Sequence, residues 1–86
     1  MPLTVVLRGP LVTTYGFEKI TYDGEYTIQE IIKKIDNNKN IIYDNKVGNI
    51  KSGYIILVNG KDYRLLKNHV IKDNDLIEII PINHGG

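Results

Sequence analysis

Cysteine is absent from the 86 residues. That excludes a disulfide framework, a thiolate metal site and a nucleophilic thiol within the chain. Sulfur chemistry, if any, falls to a backbone carboxylate or to a partner. A charge excess is also missing: 11 basic and 10 acidic residues leave a net charge of +1, so no field of one sign favours nucleic acid or an anionic membrane. No apolar run approaches the roughly 18–20 residues needed to span a bilayer. Met1-Pro2-Leu3-Thr4 lacks the charged and apolar regions of a signal peptide. A soluble, cytoplasmic, monomeric protein is the expectation. His69 and His84 are the only histidines and have no supporting ligand cluster, so no metal site is expected. Gly48 and Gly53 lack the spacing of a phosphate-binding loop. The six tyrosines have no basic stripe beside them and read as core and rim aromatics rather than base-stacking platforms.

What is present reads as one domain over residues 1–80 with a flexible tail over 81–86. Leu3 to Arg8 is β-branched and partly alternating, a strand. Gly9-Pro10 breaks it. Leu11 to Gly16 reads as a hairpin loop, and Phe17 to Tyr22 as a second strand. Asp23-Gly24 marks a turn. Thr27-Ile28-Gln29-Glu30 has the form of a capping box, with Tyr26 and Ile31 placed as a hydrophobic staple. Ile28, Ile31, Ile32 and Ile35 then form one apolar stripe, which predicts a helix from about 28 to 36, ended by Asn37-Asn38 in the left-handed conformation. Residues 36–53 read as polar and irregular around Ile41-Ile42-Tyr43. Tyr54 to Val58 is a strand apolar on both faces, followed by the two-residue turn Asn59-Gly60 and a short return strand, Lys61 to Leu65. Ile71 to Asp75 is a turn, in which Asp73 and Asp75 serve turn chemistry rather than catalysis. Leu76 to Ile80 is the last strand, and Pro81 stops its pairing.

A single helix against one mixed sheet is an α+β layout. One helix covers only one sheet face. Alternation assigns Leu3, Val5, Leu7, Ile55, Leu57, Ile77 and Ile79 to the core. The opposite phase then presents Val6, Tyr54, Ile56, Val58, Leu76 and Ile80, together with Arg8 and Glu78. That face is unusually apolar for solvent. It reads either as a partner surface, with Val6, Arg8, Ile56, Val58 and Ile80 as docking residues, or as a face partly covered by loop 36–53 or the strand edges, or as the product of a register one residue out of phase.

The chain ends in Gly85-Gly86. A diglycine end is either a frayed terminus or a threading element without side chains. The residues upstream point to the second. Ser52-Gly53-Tyr54-Ile55-Ile56-Leu57-Val58-Asn59-Gly60, then Ile71-Lys72-Asp73-Asn74-Asp75-Leu76-Ile77-Glu78-Ile79-Ile80-Pro81, then His84-Gly85-Gly86 stand in the order shared by the ubiquitin-like β-grasp sulfur carriers. The C-terminal third carries most of the likeness, and the first half matches in pattern only. The family usually holds glycine between the acids of the turn, where this chain has Asn74, a residue that tolerates positive φ. The ending resembles that of the ubiquitin-related modifier; the small subunit of molybdopterin synthase and the thiamine sulfur carrier also end in Gly-Gly.

The resemblance implies a β-grasp fold of about five strands with one main helix. It implies a carrier rather than an enzyme, with no cofactor bound by this chain. A partner activating enzyme would use ATP and magnesium to adenylate the Gly86 carboxylate. A persulfide donor would convert it to a thiocarboxylate, or a target lysine would take it into an isopeptide bond. Ile82, Asn83, His84, Gly85 and Gly86 would enter the partner's active site, and a sulfur acceptor enzyme (for tRNA thiolation or for molybdenum cofactor synthesis) or lysine-bearing targets would complete the set of partners. A non-covalent β-grasp interaction module, in which the diglycine is incidental, is the alternative of another class.

Overall fold

The computed structural model describes residues 1–66 and 69–82. The elements in chain order are strand β1 (Leu3–Leu7), helix α1 (Leu11–Tyr15), β2 (Lys19–Tyr22), β3 (Tyr26–Thr27), α2 (Ile28–Asp36), β4 (Tyr43–Asp44), β5 (Asn49–Ile50), β6 (Tyr54–Val58), β7 (Lys61–Asp62), a 3-10 turn at Tyr63–Leu65, β8 (Val70–Ile71) and β9 (Leu76–Pro81). The main sheet has the order β2-β1-β9-β6-β7. β1 and β9 are parallel neighbours at its centre, with Val5 opposite Ile77. β9 and β6 are antiparallel, with Ile56 opposite Ile79. This is the β-grasp arrangement, with α2 as its main helix. No described helix is long and apolar enough to cross a membrane.

α2 forms where its sequence demands it. The Thr27 side chain accepts from the Glu30 N–H at 3.1 Å, and the Glu30 carboxylate accepts from the Thr27 N–H at 2.8 Å. Two of the donors left free at a helix start are thereby satisfied. Asn37 closes the other end at φ 50°, in the left-handed region that Asn enters at little penalty. The stripe Ile31, Ile32 and Ile35 is buried with Leu3, Val5, Leu7, Ile77 and Ile79 in one core.

Several elements differ from the sequence reading. Leu11–Tyr15 is a short helix rather than a loop: Pro10 at φ −65° starts it, Gly16 at φ 84° ends it, and Leu11 is buried. Proline at the start and glycine just past the end are favourable helix boundaries. The return strand stops at Asp62, because the Asp62 carboxylate accepts from the Arg64 N–H at 2.9 Å and turns the chain. Ile71 is not part of the turn but a buried residue of β8, paired with Tyr26. Pro81 does not end the pairing of β9; it lies opposite Tyr54.

The stretch after α2 is ordered by one buried carboxylate. Asp36 is fully buried. It accepts from the Tyr15 hydroxyl at 2.6 Å and from the backbone N–H groups of Asn40, Ile41 and Ile42 at 2.7, 3.0 and 3.0 Å. This bonding joins α1, α2 and the approach to the β4–β5 hairpin. Burial by itself would raise the carboxyl pKa, but the bonds from Tyr15, Ile42, Ile41 and Asn40 outweigh it and hold it below the ordinary aspartate value. Burial, and then the bond to Asp36, push the Tyr15 phenol well above its ordinary value.

Removing this anion has a predictable outcome. Asp36→Asn should lower stability by about 2–3 kcal/mol, since hydrogen bonds to a charged group are lost and buried donors are left badly paired. For a domain of this size that is a fall of roughly 10–20 °C in melting temperature. Because the folded carboxyl titrates below its unfolded value of about 3.9, the stabilisation is complete above that pH and is lost as pH falls through the folded pKa. Urea denaturation of both proteins should show a constant gap from neutrality to about pH 5 that closes below about pH 4.

Candidate functional site: the end of the last strand and the open sheet face

β9 is paired with β1 as far as Ile79 and with β6 as far as Pro81, and the hold on the β6 side extends one residue past the strand. The Ile82 N–H donates to the Gly53 carbonyl at 2.8 Å. Gly53 has φ 97°, a conformation that side-chain-bearing residues rarely adopt. On the other side of the exit, Gly9 at φ 59° lies beside Pro81, whose Cγ would sit 3.5 Å from a Cβ added there. The chain therefore leaves the sheet in a direction fixed by two glycine-bearing loops. Beside the exit is a cavity of about 410 Å³, bordered by Lys51, Ser52, Gly53, Tyr54, Ile55, Tyr63, Arg64 and Ile82.

The sheet face away from α2 is built from the alternate residues of the same strands. Val6 is opposite Glu78, Glu78 is opposite Leu57, and Ile80 is opposite Ile55. Ile55 and Leu76 are each 37% exposed. Among these apolar side chains the Arg8 guanidinium donates to the Glu78 carboxylate at 2.9 Å. An exposed pair of this kind contributes only about 0–1 kcal/mol to stability. It places a fixed ion pair at the middle of a face whose flanking strands also carry Lys19, Thr21 and Asp62. At the sheet edge the Arg64 guanidinium grips Asp62 through two nitrogens, at 3.0 and 2.7 Å, and these bonds hold the Asp62 carboxyl down at about 2. Among the described residues no group of His, Asp or Glu side chains could hold a metal ion.

The model that describes the ThiS family matches residues 5–86. The chain belongs to the ThiS family. The crystal structure of Urm1 from Sulfolobus solfataricus is similar to this ThiS-family chain at 43% identity and a TM-score of 0.82, over 92% of this chain and 99% of that one. The solution structure of small archaeal modifier protein 1 (SAMP1) from Methanosarcina acetivorans superposes with a TM-score of 0.81 at 24% identity, over 99% and 96% of the two chains. That of Urm1 from Trypanosoma brucei gives 0.75 at 19% identity, over 99% and 95%. At under a quarter identity, those two share the fold. No curated protein matches the sequence. The resemblance read from the C-terminal third, to the ubiquitin-like sulfur carriers, is thus a family membership.

The residues singled out in the sequence fall into three groups. Val6, Arg8 and Ile80 lie on the open face, Arg8 through its bond to Glu78. Ile56 and Val58 do not: they are 0% and 2% exposed and belong to the core. The assignment of β6 is corrected by one residue, so Ile55 and Leu57 face outward instead. Five consecutive apolar residues carry no alternation of their own. The pairing of Ile56 with Ile79 and of Val58 with Ile77 fixes which face each takes. Ile82 lies at the exit, bonded to Gly53, and is 41% exposed. Asn83, His84, Gly85 and Gly86 lie outside the described residues. Sequence reasoning missed Lys51, Tyr63 and the backbone role of Gly53 at the exit; the Ser52-Gly53 dipeptide was visible, but nothing local linked it to Ile82.

The corrected phase of β6 is open to measurement. Ile56→Ala should destabilise by about 2–5 kcal/mol through loss of buried surface and an unfilled cavity. Ile55→Ala should cost about 1 kcal/mol or less, as expected for an outward residue. Equal losses in denaturant unfolding would contradict the register.

Proposed function

We propose that this chain is a ubiquitin-like modifier and sulfur carrier whose reacting group is the Gly86 carboxylate. A carboxylate is a poor electrophile, because its charge and resonance repel nucleophiles. Activation is therefore assigned to a partner enzyme. A carboxylate oxygen attacks the α-phosphorus of magnesium-bound ATP, pyrophosphate leaves, and an acyl-adenylate remains. Hydrosulfide attacking the carbonyl expels AMP and yields a thiocarboxylate. With a protein persulfide as donor, the outer sulfur attacks, and a thiol then cleaves the resulting acyl disulfide. A lysine amine attacking instead gives an isopeptide bond. In this reading the chain supplies recognition and position, and the catalytic groups belong to partners.

One observation carries the reading: the strand that leads to the diglycine is central in the sheet and is held as far as Ile82. Four residues follow Ile82, ending in the reacting group at Gly86. At about 3.3 Å each they span on the order of 13 Å. The sequence reading, with the tail starting at residue 81, allowed six. Val6, Arg8 and Ile80 on the open face are the proposed docking residues for the partner. The likeness to Urm1 of Sulfolobus solfataricus and the His84-Gly85-Gly86 ending support the modifier over the molybdopterin-synthase subunit.

The test is intact-mass spectrometry of the chain after incubation with the ATP-dependent adenylating enzyme of the same genome, magnesium, ATP and sulfide. The expected result is replacement of one terminal oxygen by sulfur, dependent on ATP and abolished when Gly86 is deleted. An unmodified mass under conditions where that enzyme is shown to be active would favour a non-covalent interaction module instead.

A further inference from the structure

We propose that the cavity at the chain's exit receives an apolar side chain from the rim of the activating enzyme's channel, and that an acidic residue on that rim faces Lys51. The proposal rests on the reading that Gly86 is the group activated. The short length of chain beyond Ile82 brings the two surfaces together. Ile82 is fixed by its bond to Gly53, and the four residues that follow reach at most about 13 Å. An adenylating centre must shield its acyl-adenylate from water, so the wall around its channel takes up most of that distance. The rim of the channel therefore presses on the surface around Ile82. It adjoins the open sheet face at Ile55, which borders the cavity and lies opposite Ile80.

The surface it meets is concave, not flat. The cavity of about 410 Å³ has Tyr54, Ile55, Tyr63 and Ile82 on its border beside the polar Lys51, Ser52 and Arg64, a size within the range of about 300–1,000 Å³ of small-molecule clefts and ample for a side chain. These side chains are half-buried or more exposed, so covering them removes apolar surface from water, the usual driving force for association. The border carries two cations, and they are not equivalent. Arg64 is already matched by Asp62 at 2.7 Å. The Lys51 ammonium donates to the Asn40 carbonyl, a neutral acceptor, and among the described residues no carboxylate lies within ion-pair distance of it. Its charge is thus available to a partner, and an acidic rim residue is its complement.

Two substitutions on exposed or half-exposed border positions test this. Lys51→Glu reverses the free charge, and Ser52→Trp fills the cavity. ATP–pyrophosphate exchange by the adenylating enzyme of the same genome, measured against carrier concentration, reads the contact. Each variant should raise KM for the carrier about tenfold, the equivalent of about 1.4 kcal/mol, with the loss falling on KM rather than kcat, and the melting temperature should stay within a few degrees of the parent. Hydrogen exchange of the unsubstituted chain should show protection of residues 51–55 and 63–64 when that enzyme is added without ATP. If the parent chain is activated while both variants keep its KM and those residues stay unprotected, the cavity is not the contact. If the parent chain supports no exchange at all, the reading of Gly86 fails and this proposal falls with it.

Discussion

The central position of β9 is the constraint on which the rest depends. It pairs in parallel with β1 and antiparallel with β6, so the segment nearest the C-terminus is also the most enclosed strand of the sheet. Thr4 lies beside Leu76, so the two ends of the chain must meet before the core can close. Such non-local pairing slows folding, because the loop between the partners must be closed before the contact rewards it. The reward is positional. A strand bonded on both sides cannot peel away at modest cost, and the place where the chain leaves the sheet is fixed by neighbours on each side.

The second organising element is an anion inside the domain. Asp36 sits at the end of α2, where the helix has used its own hydrogen bonds, and it gathers donors from Tyr15 and from three successive N–H groups. A lone buried carboxylate would be strongly unfavourable. Four donors make it tolerable, and the cost of losing any of them fixes the geometry of α1 and of residues 40–42 together. From there β4 and β5 pair, with Tyr43 opposite Ile50, and deliver the chain to Ser52-Gly53, which meets Ile82. Order at the exit is thus transmitted through a polar cluster as well as through apolar packing. A similar device acts at the other end of the sheet: the Asn59 side chain donates to the Asp75 carboxylate and accepts from the Leu76 N–H, tying the β6–β7 turn to the start of β9.

What the sequence disclosed follows from where its signals are local. The capping box at Thr27, the left-handed Asn37 and Asn74 and the Asn59-Gly60 turn each depend on a few adjacent residues, and each stands as read. Features set by distant partners were not legible. Nothing in Tyr54-Ile55-Ile56-Leu57-Val58 says which alternate residues face the helix; β9 decides it. Tyr26-Thr27 and Val70-Ile71 are each too short to show a period and become strands because they find one another. Asp36, last in a helix whose exposed face carries Lys33 and Lys34, has no local signal of burial, because its donors lie four to twenty-one residues away. The open face was legible in composition and in the phase of β1 and β9 but not of β6, and the bond from Ile82 to Gly53 joins residues nearly thirty positions apart.

The fixed exit has an energetic meaning for a carrier. Ordering the backbone of a free residue on binding opposes association by about 1–2 kcal/mol. Pro81, paired with Tyr54, and Ile82, bonded to Gly53, are ordered before any partner arrives. Relative to a chain that came free after Ile80, this lowers the ordering term by about 2–4 kcal/mol. On the proposed activation of Gly86, the same shortening would narrow the set of enzymes that could act, because a reach of on the order of 13 Å admits only an active site whose entrance fits closely against the domain. Affinity and selectivity are thus drawn from one feature, the two residues by which the sheet extends past the point where proline would ordinarily end it.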